Sequence, residues 1–400
     1  MDSSQPAHSV RDANRSAGLS RGLLTLLAAS LFAVAATIHY QTPMLAAIGA
    51  DFRADAAAVG WVATLTFGGF LAGIILLVPL GDRFDKRRLI LVEIVLLVVA
   101  LLAMAAAPSL ALLAAAGFVV GVCASLGQII VPLAVELAPA HARGRIMGTL
   151  LTALFLGILF GRIAGGLIAS QFGWRWTYVF AALIIIALAP ALVARLPRTS
   201  PKTGLDYRAL LWSLVGLLRA HADLRRIAAI QFLLGISYGG FWATAATMLA
   251  TFHGLGPTAT GLMAIPGAAG ILVARPAGRW MDRSGVTPVV TTGICLVFAA
   301  YAAFGFAALS LGAVIAGAML MDFGLRAAMV ANQTLVNTAV PEARSRGNTI
   351  FGGFVWSGNA AGAFLASMAL AHFGWPAVCA IALTASGAAL AVQLRGSASR

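Results

Sequence analysis

The chain has 400 residues, of which 60% are hydrophobic and only 10% are charged, even before its 43 glycines are counted as apolar. Soluble domains carry about 45–50% apolar residues, glycine included, and about 25% charged residues. So few charges cannot cover this much apolar surface in water, which excludes a soluble enzyme, a disordered protein and a disulfide-linked scaffold. The composition therefore predicts a protein that folds in a lipid bilayer.

The strong positive charge does not indicate a nucleic-acid-binding protein. The formal net charge is +14, but the basic residues are confined to short segments between long apolar runs. This distribution is typical of the charges that orient membrane proteins. Cys123, Cys295 and Cys379 lie far apart inside apolar runs, so we expect neither a disulfide nor a zinc site.

Apolar runs long enough to cross a bilayer recur along the whole chain, since a spanning helix needs about 20 mostly apolar residues. The sequence predicts twelve such spans, at residues 22–44, 59–80, 89–107, 110–134, 147–170, 175–195, 226–251, 257–278, 287–306, 308–333, 348–371 and 373–394. We refer to them as spans 1 to 12. The predicted fold is an all-α integral membrane protein with twelve transmembrane helices.

The spans fall into two groups of six. A polar segment at 196–225 separates a bundle at 22–195 from a bundle at 226–394, and we expect a surface helix near 208–218 within that linker. Short tails at 1–21 and 395–400 complete the predicted domain organisation.

The basic residues predict the orientation of the chain. The side that holds the N-terminus carries 22 Lys and Arg residues, whereas the opposite side carries only Arg53 and Arg175. This bias predicts that both termini are cytoplasmic. Residues 21–35 also fit a cleaved secretory signal. Cleavage there would remove half of span 1 and reverse the charge bias, so we favour an uncleaved first span.

The two halves carry an internal repeat at an offset of about 200 residues. The loop at 81–88 matches the loop at 278–285, and the ARGR motif at 142–145 matches ARSR at 343–346. Gly157 and Gly161 then align with Gly358 and Gly362. Repeats of this parallel kind are typical of transporters, so the two bundles are predicted to be pseudo-symmetric.

At these loops the chain resembles the major facilitator superfamily, whose signature is G-x-x-x-D-R-x-G-[RK]-[RK]. The second copy keeps Gly278, Asp282, Arg283 and Gly285. The first copy is less complete, because Val78 and Asp85 stand where the signature has glycines. It keeps Asp82, Arg83, Lys86 and Arg87.

Span 5 resembles the glycine-rich signature helix of the drug:proton antiporter branch of that family, and we call its row of glycines the glycine seam. The match to G-x-x-x-G-P-x-x-G-G consists of Gly157, Gly161, Gly165 and Gly166, while Arg162 replaces the proline. The small residues are expected to let helices pack closely. The resemblance implies a bacterial inner-membrane transporter that exports a small organic solute in exchange for protons. The alternatives are a proton symporter or facilitator importing a metabolite such as a sugar, and a sensor or scaffold that moves nothing.

The acids of the two signature loops suggest a gate. Asp82 is expected near the start of span 11, at 346–348, and Asp282 near the start of span 5, at 145–147, where a carboxylate is stabilised by the helix N-terminus. These contacts would form only when the cytoplasmic side is closed. The alternative is that the loop charges only anchor the loops in the cytoplasm.

Charges inside spans are costly and usually functional. Asp322 and Arg326 lie one turn apart on span 10, so the resemblance makes Asp322 the candidate for reversible protonation, with Arg326 as its partner. The alternative is a permanent ion pair that only orients the helix. His39 is a further proton-coupling candidate. Glu93 and Glu136 lie near span ends, where we expect them to reach the headgroup region.

Polar and aromatic side chains of other spans are candidates for a substrate cavity. In this family the first, fourth, seventh and tenth spans line the central cavity, which would bring several such residues together. The alternative for the aromatic pair on span 7 is helix packing, and for Arg162 a structural hydrogen bond. The candidates are Tyr40, Gln41, Gln128, Arg162, Tyr238, Trp242, Asn332 and Gln333.

No motif indicates catalysis or a bound cofactor. The chain has no phosphate-binding loop ending in GK[ST], no spacing typical of metal ligands and no pairing of a nucleophile with a base. We therefore expect a non-enzymatic protein that binds no nucleic acid, and the family resemblance implies a monomer powered by the proton gradient. Its expected partners are a small-molecule substrate, protons and membrane lipid.

Overall fold

A computed structural model of the protein describes residues 19–199, 207–268, 279–281 and 283–398. Within these ranges, eleven helices are long and apolar enough to cross a membrane. They are Arg21–Phe52, Ala56–Leu76, Lys86–Ala105, Leu110–Leu137, Ala140–Phe172, Trp174–Arg195, Ala222–His253, Val286–Phe304, Leu311–Ala339, Pro341–Phe373 and Trp375–Gly396. They correspond to predicted spans 1 to 7 and 9 to 12.

Span 8 is described only in part. Two short helices, Pro257–Leu262 and Ala264–Ala268, occupy the first half of the predicted run at 257–278, and the rest lies outside the described residues. The expected surface helix of the linker is present as Tyr207–Ala220. Its Trp212 is 69% exposed, and its Tyr207 hydroxyl donates a hydrogen bond of 2.9 Å to the Leu76 carbonyl of span 2.

Several spans are longer than their apolar runs predicted. The helices of spans 5 and 11, Arg143–Phe172 and Arg344–Phe373, have 30 residues each, so each is about 45 Å long. Span 7 begins at Ala222 and thereby includes four residues that the sequence assigned to the linker. Hydropathy detects only the part of a helix that lies in lipid, whereas these helices continue into the polar layer on both sides.

Spans 1 and 4 are interrupted in the middle. The first helix ends at Thr37, and the chain continues through turn residues and the short 3-10 helix Thr42–Met44 before it becomes helical again. Pro43 lacks a backbone donor, which is compatible with such a break. Span 4 is interrupted at Ser125 and Leu126. Non-helical backbone at membrane depth is tolerated where it borders a cavity inside the protein, so these breaks indicate where a cavity lies.

The internal repeat is visible in how the glycine seams pack. In each half, two glycines lie directly on the backbone of that half's first span, and a Cβ on any of them would overlap it. Each residue of a contact in the second half has a number 200 or 201 higher than its counterpart in the first half. The four pairs are Gly157 with Phe32, Gly161 with Ala36, Gly358 with Phe232 and Gly362 with Ile236.

Among the described residues, two close contacts join the halves at one end of the molecule. There Gly60 of span 2 lies against Ser367 of span 11, and the Ser170 hydroxyl of span 5 lies 2.5 Å from that of Thr258. We call this the tight end. Toward the opposite end, a Cβ on Gly353 of span 11 would come no closer than 3.7 Å to Leu71 of span 2, and a Cβ on Gly148 of span 5 would meet no atom within 4 Å. We call this the loose end, and it is where spans 5 and 11 begin.

Candidate functional site

A cavity of about 190 Å³ lies between the two halves at the level of the interrupted helices. Spans 1, 2, 4, 5, 7, 10 and 11 contribute to its wall, which is mostly apolar. An apolar cleft with a few polar groups is the usual form of a small-molecule site. The polar or ionisable side chains in the wall are His39, Gln128, Gln231, Tyr238, Arg326 and Asn359.

His39 lies in the turn that interrupts span 1, and its side chain is therefore held at the cavity wall rather than on a regular helix face. It is 3% exposed. Its Nδ1 atom is 3.5 Å from Nη2 of Arg162, and its ring centroid is 6.5 Å from that of Trp356. Among the described residues its Nε2 atom has no hydrogen-bond partner.

Arg162 joins the two halves of the molecule. It lies on span 5, is 3% exposed, and donates a hydrogen bond of 2.9 Å from Nη2 to the hydroxyl of Tyr238 on span 7. Its guanidinium carbon lies 3.6 Å from the ring centroid of Trp242, also on span 7. A desolvated cation over a tryptophan ring is stabilised by about 2 kcal/mol or more. The aromatic pair predicted on one face of span 7 thus holds the arginine that replaces the seam proline.

Asp322 and Arg326 form the ion pair that their spacing predicted. The distance from Arg326 Nη2 to Asp322 Oδ1 is 3.3 Å, and the Asp322 side chain is 1% exposed while that of Arg326 is 18% exposed. Asp322 faces the protein interior and shares the wall of a narrow space with Arg162 and Gly267. Arg326 lines both this space and the larger cavity, so it connects the buried carboxylate to the cavity.

The remaining cavity candidates are found at different depths. Gln128 lines the cavity, and Gln41 is buried beside it as the acceptor of a 3.0 Å hydrogen bond from Thr66 of span 2. Tyr40 is buried with its backbone against the seam glycine Gly165. Asn332 and Gln333 of span 10 are not in the cavity wall. Asn332 is fully buried, and Gln333 donates a hydrogen bond of 3.3 Å to the side chain of Asn348.

Three residues of the cavity wall were not singled out from the sequence. Gln231 and Asn359 are uncharged polar residues within apolar spans, and their position there was the only available signal. Trp356 of span 11 packs against Phe70 of span 2 with a centroid distance of 4.2 Å, and this ring pair closes the cavity on one side. An aromatic residue in an apolar run carries no sequence signal for such a role.

The first signature loop is held by polar contacts within its own half. Lys86 donates hydrogen bonds of 2.7 and 2.8 Å to the carboxylate of Glu136 at the end of span 4, a partner that the sequence did not indicate. Arg87 donates to the Val193 carbonyl of span 6 over 2.6 Å, whereas Arg83 is exposed.

Asp85, which replaces a signature glycine, caps span 3. Its Oδ1 atom accepts hydrogen bonds from the Arg87 amide at 3.1 Å and from the amide and hydroxyl of Thr199 at 2.9 and 3.1 Å. Partial burial works against the charged carboxylate, but these hydrogen bonds outweigh it and hold the pKa of Asp85 below its ordinary value. The residue thus ties the first loop to the start of the linker.

Much of the proposed gate lies outside what the structure describes. This applies to the side chain of Asp82 and to Gly278 and Asp282 of the second loop. In the described remainder of that loop, Arg283 is exposed and Gly285 has a φ of 81°, a conformation that favours glycine.

Glu93 of span 3 differs from its expectation. It was expected to reach the membrane surface, but it is 1% exposed, and both carboxylate oxygens lack a hydrogen-bond partner among the described residues. The side chain therefore lies in the packed interior of the first half. Sequence position alone did not reveal this, because one helical turn from a span end can face either lipid or a neighbouring helix.

Known proteins similar to this chain are membrane transporters. Over 380 residues the chain is 32% identical to a protein named uncharacterized transporter YgaY of Escherichia coli O157:H7, covering 94% of this chain and 96% of that protein. It is 33% identical to the probable transporter SCO4007 of Streptomyces coelicolor, covering 92% and 86%. It is 28% identical to a chloramphenicol efflux pump of Mycobacterium tuberculosis, covering 71% and 69%.

Solved structures agree with this similarity at the level of the fold. The nucleoside transporter NupG superposes with a TM-score of 0.75 at 14% identity, covering 94% of this chain and 98% of that one. A bacterial homolog of the lysosomal transporter Spinster, in an inward-facing and unoccupied conformation, superposes with a TM-score of 0.71 at 16% identity and covers 93% of both chains. The sequence profile of the family matches residues 25–274 and 227–396. The chain belongs to the Major Facilitator Superfamily.

Proposed function

We propose that the protein is a proton-coupled secondary transporter that moves a small organic solute across the bacterial inner membrane by alternating access. The observation that carries this proposal is the Asp322–Arg326 pair, buried inside the spans with 3.3 Å between Nη2 and Oδ1 and adjoining the cavity between the halves. Ionised pairs at this depth are costly and mark ion pathways in membrane proteins. Protonation of Asp322 removes its attraction for Arg326 and changes the charge of the site by one.

The unequal packing of the two ends supports alternating access. The tight end is closed by the Gly60–Ser367 and Ser170–Thr258 contacts, and the loose end lies where spans 5 and 11 begin. The bias of basic residues supports a cytoplasmic position for the loose end. In that orientation the conformation would be an inward-facing state. In the opposite state, Asp82 and Asp282 would hold the cytoplasmic loops against spans 11 and 5.

Export in exchange for protons is the first form of the proposal. It is supported by the antiporter-like glycine seam and by the relative named a chloramphenicol efflux pump. In this cycle, Asp322 takes up a proton from outside, the substrate leaves, and the proton is released to the cytoplasm. Direct competition between proton and substrate for one carboxylate would couple the two movements.

Import together with a proton is the second form, and one contact favours it. The seam proline of the antiporters is replaced by Arg162, which is fixed against Tyr238 and Trp242 instead of kinking span 5. In this form, Asp322 and the substrate would be loaded together on the outside. A protein that binds a ligand without moving it is the outcome to be excluded by experiment.

A growth screen tests the proposal without a known substrate. Strains that overproduce the wild type or Asp322→Asn are compared against a broad set of toxic compounds. Resistance caused by the wild type indicates export, and sensitisation indicates import. The Asp322→Asn variant should lose either effect at equal membrane abundance, and Glu342→Gln, which changes an exposed acid at the start of the span 11 helix, should retain it.

Compounds found in this way are then tested in proteoliposomes with an imposed pH gradient. The gradient should drive their movement through the wild type and not through Asp322→Asn. Movement through the Asp322→Asn variant that retained its response to the gradient would remove Asp322 from the mechanism.

A further inference from the structure

The charge inventory of the membrane interior is unbalanced. The sequence has 13 acidic residues, but only Glu93 and Asp322 lie well inside the spans, and Glu93 is enclosed in the first half away from the cavity wall. Two arginines, Arg162 and Arg326, adjoin Asp322. The group they form therefore carries one uncompensated positive charge when Asp322 is ionised. Arg275, in the undescribed part of span 8, is also basic.

Among the described residues, no carboxylate lies within ion-pair distance of Arg162 to account for this charge. Its contacts are the Tyr238 hydroxyl, the Trp242 ring and the Nδ1 atom of His39, none of which carries a negative charge. Aromatic and hydroxyl contacts lower the energetic cost of burying a cation but do not neutralise its charge. A ligand that brings a negative charge would complete the site.

The unused hydrogen-bonding groups are mainly donors. Within the described residues, the Nε atoms of Arg162 and Arg326 and the Nε2 atom of Gln231 are buried and have no partner. Among the same residues, the unpartnered acceptors at the site are Asp322 Oδ2 and Asn359 Oδ1. Arginine presents donors in a planar fork that suits carboxylate and other oxyanions. Donors left unpaired in a nearly dry site favour an acceptor-rich ligand over a neutral or cationic one.

The wall beside these donors is aromatic. Trp356 and Phe70 form one side of the cavity, and the guanidinium carbon of Arg326 lies 5.3 Å from the ring centroid of Phe155. We infer that the transported solute is a monovalent organic anion, whose oxyanion group binds between Arg162 and Arg326 and whose flat apolar body lies against Trp356. This inference rests on the proposed function and names its substrate class.

The same geometry links the anion to the proton. Ionised Asp322 competes with the anion for Arg326, so protonation of Asp322 releases the arginine and strengthens anion binding. Ligands whose binding is mutually favourable are carried together, which selects the import form of the proposed function.

The other groups near Asp322 do not reverse this linkage. Span 9 contacts span 10 through Gly293 and Gly324; its Tyr301 donates to the Ser237 carbonyl, and its Cys295 is exposed. The described part of span 8, residues 257–268, has no titratable side chain. The titratable or charged groups of spans 1, 5, 7 and 10 at the site are His39, Arg162, Tyr238 and Arg326.

Three probes of similar size and fixed charge test the substrate class. They are benzenesulfonate, its neutral analogue benzenesulfonamide and the cation benzyltrimethylammonium, and their binding is followed by the thermal stability of the purified full-length protein. Benzenesulfonate should raise the midpoint temperature of unfolding, and the rise should saturate with its concentration, whereas the other two probes should not raise it. Absence of a shift with the anion, or an equal shift with either other probe, overturns the inference.

Variants distinguish the cavity from a nonspecific effect of charge. Arg162→Gln and Arg326→Gln should each weaken benzenesulfonate binding by about tenfold or more, as expected when a charge-assisted hydrogen bond is lost. Arg175→Gln is the matched control, because Arg175 also lies over a tryptophan, Trp174 at 4.2 Å, but is far from the cavity and paired with Asp51. Equal weakening by the control overturns the assignment of the site.

The pH dependence separates this inference from the proposed function. Wild-type protein should bind benzenesulfonate more tightly as the pH is lowered, and Asp322→Asn should bind it tightly at every pH at which the protein is folded. His39→Gln removes the other titratable group at the site, so loss of the pH dependence in this variant, together with its retention in Asp322→Asn, would assign the linkage to His39 and overturn its assignment to Asp322. Anion-selective binding with an unchanged pH response in Asp322→Asn would contradict proton coupling at Asp322 while leaving the substrate class in place.

Discussion

The Ser170 hydroxyl of span 5 lies 2.5 Å from the Thr258 hydroxyl at the start of span 8, and this contact joins the two halves at the tight end. Close by, Gly166 of span 5 lies on the backbone of Pro257, where any larger residue would overlap it. The spans thus touch through their backbones rather than through long side chains. Opening of this end requires the whole contact to separate.

Cross-linking this contact should stop transport. With Cys295 first replaced by serine, because it is the exposed native cysteine, the double variant Ser170→Cys/Thr258→Cys is expected to form a disulfide under mild oxidation. The bond would hold the tight end closed, and transport of a compound identified by the growth screen should fall to background in proteoliposomes. Reduction should restore it, and neither single variant should respond to oxidation. Full transport by the cross-linked protein would show that this end does not open.

A methyl group in the glycine seam should destabilise the first half. A Cβ on Gly157 would overlap the Phe32 carbonyl, so Gly157→Ala must displace span 1 and is expected to cost about 1–3 kcal/mol. Gly148→Ala is the matched control on the same helix, because a Cβ there meets nothing within 4 Å. Alanine is the better helix former, so the control should be neutral or more stable by up to about 1 kcal/mol. Thermal unfolding in detergent measures both, and equal midpoints would contradict close packing at Gly157.

The seam and the spans were predictable because each is a local pattern. Apolar runs predicted all eleven of the long helices found within the described residues, and glycines at a repeated spacing indicated close packing. The position of the span 1 break at Thr37, the burial of Glu93 and the place of Trp356 in the cavity wall were not predictable. Each depends on which neighbouring helix faces the residue, and hydropathy does not encode that information.

The Lys86–Glu136 pair illustrates the same limit, and it yields a prediction. Lys86 is nearly buried, with 6% of its side chain exposed, whereas Glu136 is 32% exposed. Glu136→Met should therefore leave a buried ammonium without its partner and destabilise the protein by about 1–3 kcal/mol, less than for a fully buried pair. The double variant Lys86→Met/Glu136→Met should regain much of that loss, because the buried ammonium is removed as well.

A double-mutant cycle on unfolding midpoints measures the coupling of this pair. The single variants Lys86→Met and Glu136→Met and the double variant are compared with the wild type under one set of conditions. Strictly additive effects would mean that the ion pair holds no stabilising interaction. The expected result is a double variant that is more stable than Glu136→Met alone.

Asp85 should make the stability of the first loop depend on acid pH. Partial burial disfavours its charged form, but the hydrogen bonds that it accepts from Thr199 and Arg87 outweigh this effect and lower its pKa in the folded protein. The resulting stabilisation is complete well above the ordinary aspartate pKa of about 3.9 and is lost as the pH falls below that value. Asp85→Asn should thus be less stable than the wild type between about pH 5 and pH 7, and the difference should shrink below about pH 4.

Unfolding midpoints of the two proteins across that range test the acid dependence of Asp85. Thr199→Val removes the hydroxyl donor but keeps the amide donor, so it should reduce the difference without abolishing it. Glu342→Gln serves as a control, because that side chain is 62% exposed and a surface pair contributes little. A difference between wild type and Asp85→Asn that stayed constant down to pH 3 would show that the charge of Asp85 does not stabilise the loop. Its hydrogen bonds would then act through geometry alone, as those of a neutral cap do.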